Sequence, residues 1–247
     1  WREIGFGVSG VILPVYIKYH AYVMNGFNSF DGNAQIGGSN GLRGGRQKAA
    51  ESFISSPNMT ARLEYFGISG LNLGLSCYFG KTQSTLYDGI EKNNDAETAR
   101  ADSSVVGVSM IGIDARYSFN GFNLTGQFYY NNLSNTETYN AFTQDKEGGD
   151  LGSSMLGYYV DLGYNILSLT QSEKKLIPFI RYSNFDTHYS VPENITKNKN
   201  YRKDVITSGF SLFLDKGAVI KADIQLIKSG DSDKYAKTFN AGFGIMF

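Results

Sequence analysis

Cysteine and histidine are almost missing from these 247 residues: Cys77 stands alone, with His20 and His188 the only two histidines. One thiol gives no disulfide framework and no thiolate metal cluster. Two imidazoles with no ligand-type spacing give no zinc motif and no elbow-type nucleophile. Proline is also scarce, at 4 residues, so few strands are interrupted. Charge of either sign has no excess, because 23 basic residues balance 23 acidic ones. That balance points away from a nucleic-acid partner. No apolar run approaches the ~18 residues of a spanning helix. Mean hydropathy is −0.26, yet a membrane reading survives, since a spanning strand needs only about 9–11 residues and half of them face a wet lumen.

What the chain does have is alternation. Glycine is abundant at 29, with 17 Tyr and 17 Phe. In the last eleven residues, Phe239, Ala241, Phe243, Ile245 and Phe247 share one face of an extended strand. Thr238, Asn240, Gly242 and Gly244 share the other, as a period of two requires. An apolar face that ends the chain on Phe247 resembles the insertion signal of outer-membrane barrels. The alternative is an edge strand of a soluble sandwich.

The same pattern recurs along the chain. Strands are predicted at 3–12, 15–24, 59–67, 71–80, 105–119, 122–131, 154–166, 176–186, 204–214 and 218–228, before the closing one; this makes about eleven. Cys77 falls on the apolar side of 71–80, as filler and not as a nucleophile. Short connections at 13–14, 68–70, 120–121, 167–175 and 215–217 alternate with longer ones at 25–58, 81–104, 132–153, 187–203 and 229–236. Asn120-Gly121 is a strong hairpin signal. Short turns at one end and long loops at the other are the pattern of outer-membrane barrels. The expected fold is therefore all-β: one antiparallel up-and-down transmembrane β-barrel domain spanning 1–247. Single-chain bacterial barrels have even strand numbers, and the sequence opens on Trp1-Arg2-Glu3 with no signal peptide. The expectation is that this is the C-terminal part of a larger barrel lacking N-terminal strands, or else that the count of eleven merges or misses a strand.

Several short segments together resemble the porin family that includes the phosphate-selective porins O and P. They are residues 1–8, Tyr22-Val23-Met24-Asn25-Gly26, Gly41-Leu42-Arg43-Gly44-Gly45-Arg46, Met59-Thr60-Ala61-Arg62-Leu63-Glu64-Tyr65, Pro178-Phe179-Ile180-Arg181-Tyr182 and residues 242–247. The resemblance implies an outer-membrane barrel of more strands than are counted here, in a Gram-negative bacterium. No complete lysine ladder accompanies it.

The polar strand faces carry Lys18, Arg62, Arg116, Arg181 and Lys221, and opposite them in sign Glu3, Glu64, Asp114, Asp161 and Asp223. Such a wall either pairs its charges across strands or sets up a transverse field that filters polar solutes. Arg43, Arg46 and Lys48 lie in the longest loop, among glycines that permit tight folding. Folded into the lumen, that loop places Arg43 and Arg46 at an anion-attracting constriction; left outside, the three are solvated charges facing lipopolysaccharide. Asn93-Asn94-Asp95 groups oxygen ligands without the spacing of an EF-hand. No cofactor or metal is implied. The function expected is passive diffusion of small polar or anionic solutes through a water-filled porin, with no enzymatic activity. The other class is a structural barrel in a multi-protein outer-membrane complex. Expected partners are outer-membrane lipid, lipopolysaccharide, the barrel assembly machinery and further copies in a homo-trimer or larger complex.

Overall fold

The computed structural model describes residues 2–91, 94–145, 149–170, 172–215 and 217–245. Trp1, Asn93, Gln171, Lys216 and Phe247, each part of an expectation above, lie outside the described residues. Among the described residues, eleven strands form one sheet. They are β1 (Gly5–Ile12), β2 (Ile17–Met24), β4 (Asn58–Ile68), β5 (Leu71–Lys81), β7 (Gly107–Phe119), β8 (Phe122–Ser134), β9 (Ser154–Tyr164), β10 (Lys175–Ser190), β11 (Arg202–Asp215), β12 (Ala218–Ser229) and β13 (Tyr235–Ile245). Each pairs antiparallel with its neighbour in sequence, giving an up-and-down meander. β1 and β13 are its two edges, and among the described residues no ladder joins them.

The short turns follow from local chemistry. Asn120 and Gly121 have φ of 46° and 85°, the two positive values of a type I′ hairpin, whose twist matches the strands it joins. At the other end of the strands the connections are long and structured except the last, where only residues 230–234 join β12 to β13, shorter than the 165–174 connection at the opposite end and not the longer loop expected there. Between β2 and β4 runs a loop that includes β3 (Asn28–Phe30), which pairs in parallel with β6 (Gln83–Ser84) of the next loop. The following loops carry α1 (Asp95–Ser103) and α2 (Thr136–Thr143). These two helices correct the reading of 81–104 and 132–153 as merely polar loop. His188 is corrected likewise: it sits within β10, 1% exposed, and not in a loop.

Register separates two faces. Phe6, Val23, Met59 and Phe79 lie in one row of Cα partners, and Leu75, Ile113, Phe128 and Tyr158 in another. This face is apolar and uncovered: Phe6 is 77% exposed, Ile113 53% and Phe243 76%. Cys77 lies on it, between Ala61 and Ile111. On the opposite, inner face, Tyr78, Val108, Met110, Leu133 and Met155 pack against Phe27, Ile36 and Leu42 of the 25–58 loop. This is the hydrophobic core, and it lies at the long-loop end. Burying three such side chains stabilises the docked loop by roughly 5–9 kcal/mol, at ~1.5–3 kcal/mol each, before the entropy of ordering the chain.

Candidate pore and constriction

Strand register fixes which charged side chains share the inner wall. Lys18 stands directly across from Glu64, and Arg62 stands across from His20 and Ser76. Arg62 Nε donates to Glu64 Oε1 at 2.8 Å. Its two terminal nitrogens reach past β5 to Asp114 on β7, at 2.6 and 3.0 Å. The space for that fork is Gly74, where an added Cβ would run into Asp114 Oδ2 and Arg62 Nη2. On the next part of the wall Arg181 holds Asp161 through Nε and Nη2, both at 2.8 Å, and lies 4.6 Å from the centre of the Tyr159 ring. Asp223 accepts from Asn240 Nδ2 at 2.8 Å. Arg116 and Lys221 are exposed, and neither forms an ion pair among the described residues. Register thus gathers Lys18, Arg62, Glu64 and Asp114 into one group on the inner face and Asp161, Arg181, Lys221 and Asp223 into a second. Arg116 stands between them, across from Thr125.

The long loop is held at three places. At its root, the Asn25 side chain accepts from Ile4 N at 3.0 Å, and Asn58 Nδ2 donates to Lys81 O at 2.9 Å. Burial lifts the Glu3 carboxyl beside this root to about 7. In the middle, Gln83 is fully buried. Its Oε1 accepts from Ser55 N and Ser56 N at 2.6 and 2.8 Å, and its Nε2 donates to Ser56 O at 2.6 Å. The Tyr139 hydroxyl of α2 donates to Ser29 O and Ile36 O at 3.0 and 3.2 Å; burial pushes this phenol well above its ordinary range. At its tip the loop reaches the far part of the sheet: Gly38 N donates to Asp150 Oδ1 at 2.8 Å, and the Thr187 hydroxyl of β10 donates to Gly38 O. Asp150 is itself fixed by Tyr201, whose hydroxyl donates to Oδ2 at 2.7 Å. His188 Nδ1 accepts from Asn198 N at 3.1 Å, so the ring proton sits on Nε2 and meets Asp150 O at 2.6 Å. The segment therefore starts beside β2 and β4 and ends its reach at β10, across the inner side of the sheet.

Arg43, Arg46 and Lys48 are on the loop's uncovered side, all exposed. Gly44 and Gly45 beside them touch the backbone oxygens of Gln35 and Asn28, where a side chain would collide. Arg46 Nε donates to Arg43 O at 3.0 Å, which draws the two guanidinium-bearing residues together. Lys48 is 3.7 Å from Glu51, a surface pair worth little. Gln83, Tyr139, Asp150 and Thr187, which hold the loop, are not residues that pattern reading singled out. Tyr139 with Asn140 and Thr143 had a helical spacing that could have flagged it; Gln83 had no such signal. Among the described residues no group of three His, Cys, Asp or Glu is placed to hold a metal, and no helix is long and apolar enough to cross a membrane.

No family model matches the chain. An uncharacterized protein of Aquifex aeolicus (strain VF5) is 26% identical over 228 residues, which is 90% of this chain and 48% of that protein. Among solved structures, an anion-selective porin from Comamonas acidovorans aligns with a TM-score of 0.51 at 13% identity, over 98% of this chain and 54% of that one. A second porin aligns at a TM-score of 0.48 and 12% identity, over 99% of this chain and 61% of that one. The chain thus spans about half the length of the curated relative it matches. The fold is of the porin type: an antiparallel up-and-down barrel wall with a loop folded against its inner side.

Proposed function

We propose that the protein is an outer-membrane porin through which small polar solutes, with a preference for anions, diffuse passively, and that Arg43 and Arg46 on the inward-folded loop stand at its narrowest part. One observation carries the reading: the 25–58 loop docks its apolar residues on the inner wall and ties its tip to Asp150 and Thr187. Its cationic side is left uncovered. Two guanidinium groups in a confined opening bias entry toward anions, because low-dielectric walls focus their field. The wall charges around Arg62 and Arg181 are mostly paired, so the loop carries the net bias. The barrel closes through strands additional to these eleven, and the narrower kinship with phosphate-selective porins O and P belongs to this proposal too. Its surroundings are outer-membrane lipid and lipopolysaccharide, reached through the barrel assembly machinery, as a homo-trimer or within a larger complex.

The test is reversal potential across a planar bilayer in a salt gradient. Wild type is expected to favour chloride over potassium, and Arg43→Ala/Arg46→Ala to lose most of that preference. The Debye length is about 8 Å at 0.15 M salt, so the preference is expected to shrink as salt rises unless the opening is narrow. A double variant with unchanged conductance and unchanged ion preference overturns the constriction.

A further inference from the structure

We infer that the inner wall between β8 and β12, toward the short-turn end, holds a binding subsite for a flat aromatic carboxylate. The inference rests on the porin reading in that it makes this wall a solute path. A cleft of about 300 Å³ opens there. Its floor is Ile177, Phe179 and Phe213, each only half-buried. The interior wall of a water-filled barrel is ordinarily polar, so two aromatic rings and an isoleucine left open toward it are a departure. Register explains why the Phe179 ring is reachable. Its Cα partners on both sides are glycines, Gly163 on β9 and Gly209 on β11. Neither offers a side chain to cover it. Gly163 is closely fitted as well: a Cβ there would lie 2.9 Å from Ile177 Cγ2 and 3.6 Å from Phe179 Cβ.

The rim sets the charge of the ligand. Arg181 is already engaged by Asp161 and by the Tyr159 ring. Asp223 is engaged by Asn240. Lys221 is exposed and without an ion pair among the described residues, and stands across from Ser211, one row from Phe213 and Phe179. Lys175, also exposed, stands across from Phe213 itself. A ring lying on Phe179 and Phe213 therefore has Lys175 in the row of Phe213 and Lys221 in the row between the two, while the carboxylates stand at the Phe179 end, Asp223 in its row and Asp161 one row beyond. A carboxylate attached to the ring is attracted at one end and repelled at the other, which fixes its orientation. Ring-on-ring contact and a nearby ammonium are each worth a few-fold in affinity in a partly wet site.

The test is isothermal titration of the purified, detergent-solubilised protein with benzoate, acetate and benzyl alcohol, alongside bilayer conductance in potassium chloride. Benzoate is expected to bind saturably and about tenfold or more tighter than either acetate, which lacks the ring, or benzyl alcohol, which lacks the charge. Phe179→Leu and Lys221→Gln are each expected to weaken benzoate about three- to tenfold. Both keep the residue's size class, and heat-modifiable migration reports that they fold. Benzoate binding no tighter than acetate, or folded variants with unchanged benzoate affinity, overturns the subsite. The two readings fail separately: a protein that binds benzoate but never conducts sinks the porin and keeps the subsite. One that conducts without preferring the ring does the reverse.

Discussion

Arg62 reaches Asp114 only because Gly74 leaves the intervening strand bare, and the Asp114 side chain is 3% exposed. Replacing Arg62 by Met strands a buried carboxylate, at a cost of about 1–3 kcal/mol. Gly74→Val is expected to cost a similar amount, about 1–3 kcal/mol, by pushing the fork apart without removing either charge. Urea unfolding of the vesicle-inserted protein measures both, and an unperturbed Gly74→Val would mean that the fork is not held as described. Glu3 gives a pH-dependent term. Among the described residues its Oε1 and the neighbouring Asn25 amide nitrogen have no hydrogen-bond partner, and burial lifts the Glu3 carboxyl from 4.5 to about 7. Between those values the folded protein keeps a proton that the unfolded chain releases. Its contribution is therefore fully present below about pH 4.5 and lost as pH rises through 7. The expected outcome is a stability that falls across that window in wild type and falls less in Glu3→Gln. Which charges share one strand face follows from the period of two. Their pairing does not, because it depends on diagonal reach across strands and on which neighbour is glycine.

The loop between β2 and β4 behaves as an element in its own right, fastened by side chains from the next two loops. Gln83 is its central latch, with every polar position of its amide occupied. Gln83→Ala frees Ser55 and Ser56 and is expected to lower the local opening free energy of the loop by about 1–3 kcal/mol. Hydrogen exchange at the Ser55 and Ser56 amides reads this directly, and noisier single-channel currents are expected with it. Protection equal to wild type would show that the apolar docking of Phe27, Ile36 and Leu42 holds the loop alone. The strands were legible because each presents one apolar and one polar face over many residues. The helices were less so. Asn94 caps α1 by accepting from Glu97 N at 3.1 Å, and the Asn-x-x-Glu spacing was a readable start signal. The buried side of α2 is Thr136, Tyr139, Asn140 and Thr143. Three of these four are polar, so a search for apolar periodicity passes over them.

The two faces of the sheet call for different solvents. An eleven-stranded sheet with one face uncovered and apolar exceeds the exposed patches that soluble monomers tolerate. Its other face carries the ion pairs and the docked loop. The sheet order was readable from the alternation of short and long connections, since short turns force sequential strands to be neighbours. The reach of the 25–58 loop to β10 was not, because it depends on Asp150, Thr187 and Tyr201, which are remote in sequence from the loop and carry no shared pattern. Ile113 and Thr125 make the two faces testable. Ile113 is at the middle of β7 on the apolar face, and Thr125 is on the inner face of the adjacent strand beside Arg116 and Asp161. An arginine at Ile113 would meet hydrocarbon, costing about 2–4 kcal/mol near the midplane. An arginine at Thr125 would meet water and the Asp161 carboxylate. Refolding into lipid vesicles is therefore expected to fail or lose yield for Ile113→Arg and to proceed for Thr125→Arg, whose bilayer currents shift toward anions. Equal yields for the two would mean that both faces are wet, and a barrel wall in lipid would be the wrong reading of this sheet.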